Sequence, residues 1–205
     1  MPTIAPEDNT FHTLMVDVTH RCNMHCTNCY LPNRNFPDMD IDRLEGLLAH
    51  LPTRAIIRLV GAEPTLRHDL PDMIRRVRRY GHRPIVLTNG LRMARAGYVA
   101  ELRAAGLRTV YLSMNGADNN DWYENLDNMR CAGKKLRALK NIVAKRMIPS
   151  TGTIIARGVN EGAVMRMVDL VNGLRPRHAL LRFKTVGALG RFDVNAEREN
   201  LSLAG

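Results

Sequence analysis

Aromatic side chains are scarce in this sequence: they make up 5% of its 205 residues, with a single Trp. Leu, Val, Ile and Met must carry the core instead, and the 11 Met read as core filling. Long apolar runs are missing as well. Nothing approaches the ~18–20 apolar residues of a membrane span, so a bilayer-crossing helix is excluded. The first residues, with Pro2, Pro6, Glu7 and Asp8, have neither a basic start nor an apolar stretch. No secretory signal is visible there, and a cytoplasmic location is expected. Cysteine is limited to four residues. In a reducing compartment, clustered thiols point to metal or catalysis rather than disulfides.

Acidic residues are the minority charge, 20 against 30 Lys and Arg, for a net charge of +10. That balance favours acidic or phosphorylated partners, nucleic acid among them. The basic residues concentrate in Arg75-Arg76-Val77-Arg78-Arg79 and from Lys134-Lys135 to Lys145-Arg146. Both stretches carry apolar residues at helical spacing, so each reads first as a solvated helix face.

What is present is an alternation of short apolar runs with amphipathic ones. Strands are expected at Thr13–Val18, Ala55–Val60, Pro84–Thr88, Thr109–Ser113, Thr153–Ala156 and Ala179–Phe183. Between them lie helical patterns. Asp40 caps the first, which repeats Ile41, Leu44, Leu47, Leu48 and Leu51. Pro71 opens the second and Gly81 ends it. A third runs from about Ala94 to Ala105. A long basic helix with Leu136, Leu139, Ile142 and Val143 facing inward comes next, with Gly133 as a candidate break. A last one spans Glu161–Asn172. Six βα repeats argue for an α/β fold with a parallel sheet. The eight units of a complete barrel need ~250 residues, so six units fit this length better, as either an open doubly wound sheet or a curved partial (β/α)6 barrel. Residues 1–12 read as an N-terminal extension, 13–190 as the core domain, and 191–205 as a C-terminal tail or the start of a further segment.

Chemistry concentrates in Cys22-Asn23-Met24-His25-Cys26-Thr27-Asn28-Cys29, with the spacing C-x3-C-x2-C. This loop follows the first strand, at the strand's C-terminal end, where α/β folds build active sites. Thiolates are soft ligands suited to iron–sulfur clusters or zinc. Three of them leave a metal position open, as a catalytic centre requires. Three readings stay in play on spacing alone: an iron–sulfur site, a Cys3His zinc site completed by His20 or His25, and three free buried thiols. Cys131, alone on the long helix, reads as a structural cysteine.

The loop resembles the signature of the radical S-adenosylmethionine (SAM) superfamily. Gly61-Ala62-Glu63-Pro64-Thr65 after the second strand resembles the family's Gly-Gly-Glu-Pro motif, with Ala62 in place of the second Gly. Thr88-Asn89-Gly90 after the third strand and Ser113-Met114-Asn115-Gly116 after the fourth also match family patterns. The resemblance covers about residues 13–190. It implies that Cys22, Cys26 and Cys29 bind three irons of a [4Fe-4S] cluster, and that SAM chelates the fourth. It implies that Glu63 accepts a hydrogen bond from the SAM ammonium, beside Gly61, Ala62 and Pro64. Thr88, Asn89, Ser113 and Asn115 fall among the SAM contacts. Arg157 is expected on the methionyl carboxylate and Val159 beside adenine. The residue before the last Cys, often aromatic in the family, is Asn28 here, so adenine contacts are expected from the Asn28 backbone or from Tyr30. The resemblance further implies reductive cleavage of SAM to a 5′-deoxyadenosyl radical that takes hydrogen from a substrate.

Only Cys131 is left beyond the triad, and one Cys cannot build a second cluster. A small-molecule or peptide substrate, anionic on the charge balance, is therefore expected over the mouth of the barrel, near Lys184, Thr185 and Gly187–Gly190. A flavodoxin or ferredoxin is the expected reductant, and RNA is supported only by charge. The competing class is a non-catalytic zinc-binding α/β domain that contacts nucleic acid or protein.

Overall fold

The computed structural model describes residues 12–27, 29, 31 and 35–185. Six parallel strands form one sheet in the order β1-β2-β3-β4-β5-β6: Thr13–Thr19, Ile56–Gly61, Arg83–Thr88, Thr109–Ser113, Ile148–Ile155 and Leu180–Thr185. Spatial order equals chain order throughout. A doubly wound sheet would reverse direction once and put helices on both faces. With no reversal, right-handed crossovers keep all helices on one side, which is the wiring of a barrel. The helices are α1 Ile41–Ala49, α2 Leu70–Arg79, α3 Ala96–Ala104, α4 Asn120–Asp127, α5 Ala132–Ala144 and α6 Ala163–Leu174.

Strand alternation separates two surfaces. Val16, Val18, Ile57, Leu59, Val86, Val110 and Leu112 are buried against Leu44, Leu48, Met73, Ile74, Leu102, Leu139 and Ile142 of the helices. Met15, Arg58, Ile85 and Tyr111, of opposite parity, are less buried and face the concave side. Asp40 caps α1 through the Asp42 N–H, as its position before the apolar repeat predicts.

Four expectations are corrected. The long basic helix is two helices, and the break falls at Asn128, which is left-handed (φ 50°), rather than at Gly133, which lies inside α5. Cys131 therefore sits at the N-cap position of α5, buried, rather than along a helix. Lys135 is not part of a solvated face; it is 0% exposed. Strand β5 begins five residues before Thr153, at Ile148, where it pairs with Thr109 of β4. Gly152 is there for space: a Cβ at that position would overlap the Tyr111 ring. The other basic stretch, Arg75 to Arg79, behaves as expected; Arg75, Arg76 and Arg79 pair with Asp72, Asp42 and Glu45 on the surface. Among the described residues no helix is long and apolar enough to cross a membrane.

Candidate active site

A cavity of about 250 Å³ opens at the C-terminal ends of the strands. Cys22, Cys26 and Cys29 all line it, together with Gly61 and Ala62 after β2, Thr88 and Asn89 after β3, and Ser113 and Asn115 after β4. Four separate motifs thus meet in one space because each ends a neighbouring strand. The cysteine loop is tied down on two sides. The Thr27 hydroxyl donates to the Leu126 carbonyl at the end of α4 (3.0 Å). The Asn89 side chain donates to Asn23 (2.8 Å). Below the loop, Met24, Tyr123, Cys131 and Ala132 form a small apolar cluster on which Cys22 and Cys26 rest.

Burial pushes the Cys26 thiol up to about 12, with the Asp127 carboxylate and the neighbouring thiols adding to the shift and Lys135 opposing it. Such a thiol stays protonated at neutral pH unless a cation is bound beside it. Among the described residues no three Cys, His, Asp or Glu side chains already stand close enough to hold a metal ion. The thiols share a cavity rather than a pre-closed triad, as expected where binding of the metal completes the geometry of a loop. The donor set fits an iron–sulfur cluster: three thiols, one cavity, and no histidine in its lining. His25 is exposed, and His20 packs edge-on against Phe36 at 5.1 Å. The Cys3His zinc reading is not favoured.

Glu63 is 0% exposed and is not among the residues that line the cavity. One carboxylate oxygen accepts from the Thr65 N–H (3.1 Å), the Thr65 hydroxyl and the Thr88 hydroxyl (2.6 Å); the other accepts from the Asn89 N–H (2.6 Å). Burial pushes its pKa up, and these four donors work against that. Glu63 is a brace that fixes the β2 and β3 loops to each other. Gly61 and Ala62, just before it, supply the cavity wall. Gly61 needs to be glycine twice over: its φ is +121°, and a Cβ would overlap the Thr19 carbonyl oxygen. Pro64 is buried in the short helical turn Pro64–Leu66 and does not reach the cavity. Arg157 is exposed and does not line it either. Val159 packs with Leu126, Ile154 and Ala156 instead. Lys184 lines the cavity and Thr185 does not. Asn28, Tyr30 and Gly187–Gly190 lie outside the described residues.

The sequence reading missed a buried ion pair in the cavity wall. Asp127 is 1% exposed and Lys135 0%, yet both line the cavity. Lys135 Nζ donates to the Ser113 carbonyl (3.0 Å), lies 3.5 Å from Asp127 Oδ2, and stands over the Tyr123 ring at 5.3 Å. Asn115 donates to Asp127 Oδ1 (2.7 Å) and accepts from the Ile154 N–H (2.9 Å). Oδ2 is left without a hydrogen-bond partner. An orphaned, buried carboxylate oxygen beside a buried ammonium suits a ligand that itself carries both charges. The one signal available in the sequence was a polar pair flanking the α4–α5 break, and a helix-face reading conceals it.

Residues 16–171 match the radical SAM superfamily. The chain is 30% identical over 203 residues to 7,8-dihydro-6-hydroxymethylpterin dimethyltransferase of Methanocaldococcus jannaschii, covering 87% of this chain and 37% of that protein. It is 32% identical over 186 residues to GTP 3′,8-cyclase of Edwardsiella ictaluri, covering 85% and 54%. Its fold is similar to that of SuiB of Streptococcus suis bound to the precursor peptide SuiA (TM-score 0.73, 15% identity, 87% of this chain and 40% of that one). It is also similar to methylornithine synthase PylB (TM-score 0.70, 14% identity, 94% and 59%). The chain belongs to the radical SAM superfamily, a family of enzymes whose cofactors are a [4Fe-4S] cluster and SAM. It spans about a third to a half of the length of these curated relatives.

Proposed function

We propose that this chain is the catalytic core of a radical SAM enzyme that abstracts hydrogen from an anionic small molecule. The observation that carries this reading is the convergence of three thiols and the ends of β2, β3 and β4 on one cavity. When bound, the cluster and SAM supply one-electron cleavage of the sulfonium carbon–sulfur bond, giving methionine and a 5′-deoxyadenosyl radical. Cys22, Cys26 and Cys29 would hold the iron. The Asp127 oxygen that accepts no hydrogen bond and the Lys135 ammonium would hold the amino and carboxylate groups of methionine, beside the backbone of Gly61 and Ala62. Glu63, Thr88 and Asn89 would keep that wall rigid. Ser113 offers a hydroxyl to the ribose, and Asn28 or Tyr30 remains the proposed adenine contact. Apolar Val60, Leu87 and Ile154 in the same lining exclude water from a reactive carbon radical.

A small-molecule substrate is preferred to a peptide. The relatives at 30% identity or more act, by name, on a pterin and on GTP. The structures with bound peptides are 15–17% identical, a likeness of fold alone. Lys184 at the cavity rim supplies a cation for an anionic group. A flavodoxin- or ferredoxin-type donor in a reducing cytoplasm would deliver the electron. The test is anaerobic reconstitution with iron and sulfide, addition of SAM and dithionite, and mass spectrometry for 5′-deoxyadenosine and methionine. Both products should form in the wild type and vanish in Cys26→Ala. A loaded protein with no binding of SAM would refute the proposal.

A further inference from the structure

A second recess lies at the opposite end of the sheet. It has a volume of about 260 Å³ and is lined by Arg54, Arg78, Arg83 and Arg108 around an apolar floor that includes Ile56 and Ile85. These positions are the N-terminal ends of β2, β3 and β4, the loops that enter them and, at Arg78, the last turn of α2. Ile56 and Gly61 bracket β2, so the recess is separated from the cysteine cavity by roughly five strand steps, ~16 Å. Among the described residues, none that line it is acidic.

Arg21, Arg67, Arg75, Arg76, Arg79, Arg130 and Arg166 each meet an Asp or Glu. Among the described residues, the four around the recess form no ion pair with a carboxylate. Arg108 gives its guanidinium to the carbonyls of Arg103 (3.0 Å) and Leu107 (3.1 Å), which fixes the group without neutralising it. Burial pulls Arg108 below its ordinary range, and Arg103 and Arg78 push the same way. The Arg78 side chain passes close to Gly106, whose absent Cβ would lie 2.8 Å from the Arg78 Cγ. Four guanidiniums that repel one another around a recess have stored a field that one compact polyanion relieves. Guanidinium forks bind phosphoryl oxygens in pairs, and arginine is the residue suited to that geometry.

We infer that this recess is a second binding site, which takes the phosphate or diphosphate group of a phosphorylated small molecule on the face remote from the cysteines. Its size falls just short of the ~300–1,000 Å³ of pockets that enclose whole drug-sized ligands. It therefore receives the anionic group, while the remainder of the ligand lies over the Ile56 and Ile85 floor or in solvent. A polynucleotide would instead need a basic track that continues past the recess.

The site is tested with inorganic pyrophosphate as the probe, by titration calorimetry on the full chain at low salt. The expected result is one pyrophosphate per chain, with affinity reduced about tenfold or more in Arg83→Ala and again in Arg108→Ala. Arg130→Ala, which removes a surface arginine paired with Asp121 and Glu124, should leave binding unchanged. The lining arginines are exposed, so these variants keep the fold, which circular dichroism verifies. SAM binding should be the same in wild type and variants, which separates this site from the cysteine cavity. Absence of pyrophosphate binding, stoichiometry well above one, or equal binding by the Arg83→Ala/Arg108→Ala double variant would each overturn the inference. So would a single-stranded RNA oligomer binding with the same arginine dependence while pyrophosphate does not compete.

Discussion

Replacing Asp127 by Asn removes one charge from the buried pair and keeps the size of the side chain. Lys135 is then a fully buried ammonium with one neutral acceptor, the Ser113 carbonyl, and the face of Tyr123. Removing one partner of a buried ion pair costs about 3–5 kcal/mol, because the remaining charge is uncompensated. For a domain of this size each kcal/mol moves Tm by about 2–4 °C, so Asp127→Asn should lower Tm by roughly 6–20 °C. Lys135→Met alone should cost less, since a stranded carboxyl can take up a proton. The double variant Asp127→Asn/Lys135→Met should recover most of the loss, because two neutral groups of similar volume replace the pair. The assay is thermal unfolding by circular dichroism, anaerobic and reducing, on all four proteins. A loss below about 1 kcal/mol in Asp127→Asn, or a double variant whose loss is the sum of the singles, would refute the claim that the two charges interact in a dry wall.

Other expectations follow from the same geometry. Cys26→Ala should abolish 5′-deoxyadenosine formation while shifting Tm by only a few degrees, about 1 kcal/mol or less; unfolding at room temperature would show that the thiol is structural. Gly61→Ala should cost about 2 kcal/mol or more in urea denaturation, from its positive φ and the overlap with Thr19. Glu63→Gln places an NH2 group among four donors, so it should cost about 1–3 kcal/mol and weaken SAM binding through the displaced loops. An unchanged SAM dissociation constant in that variant would remove the bracing role. Asp69 is held below the usual carboxylate range by its hydrogen bonds from Arg67, and Asp118 by those from Arg166. Depressed carboxyl pKa values add stability that is present above about pH 4 and is lost as pH falls through the folded-state values. Urea midpoints measured from pH 5 down to pH 2 should decline in that window, and a flat profile would count against these pairs.

The sequence by itself determined the class of fold and the place of the chemistry. Short apolar runs such as Ile56–Val60 and Thr109–Ser113, alternating with helical repeats, define βα units whatever the distant contacts. Cys22, Cys26 and Cys29 are close in the chain, so their spacing alone brings them within one loop. The motif after each strand was legible because a parallel βα fold puts every such loop at one end. Tertiary structure decided what local pattern cannot encode. Ile148 to Gly152 became a strand despite Pro149 and Gly152 because β4 and β6 pair with it and the Tyr111 ring needs the space. Lys135, a surface residue by its basic neighbours, is buried because the chain turns at Asn128 and folds α5 over Asp127. Glu63 was legible as a site residue but not as a brace, since its donors Thr88 and Asn89 lie some 25 residues away. The arginine recess collects side chains from four segments that are neighbours only after the strands align. Sequence patterns report the local alternation of polar and apolar groups, whereas the pairing of charges across elements depends on which loops the sheet brings together.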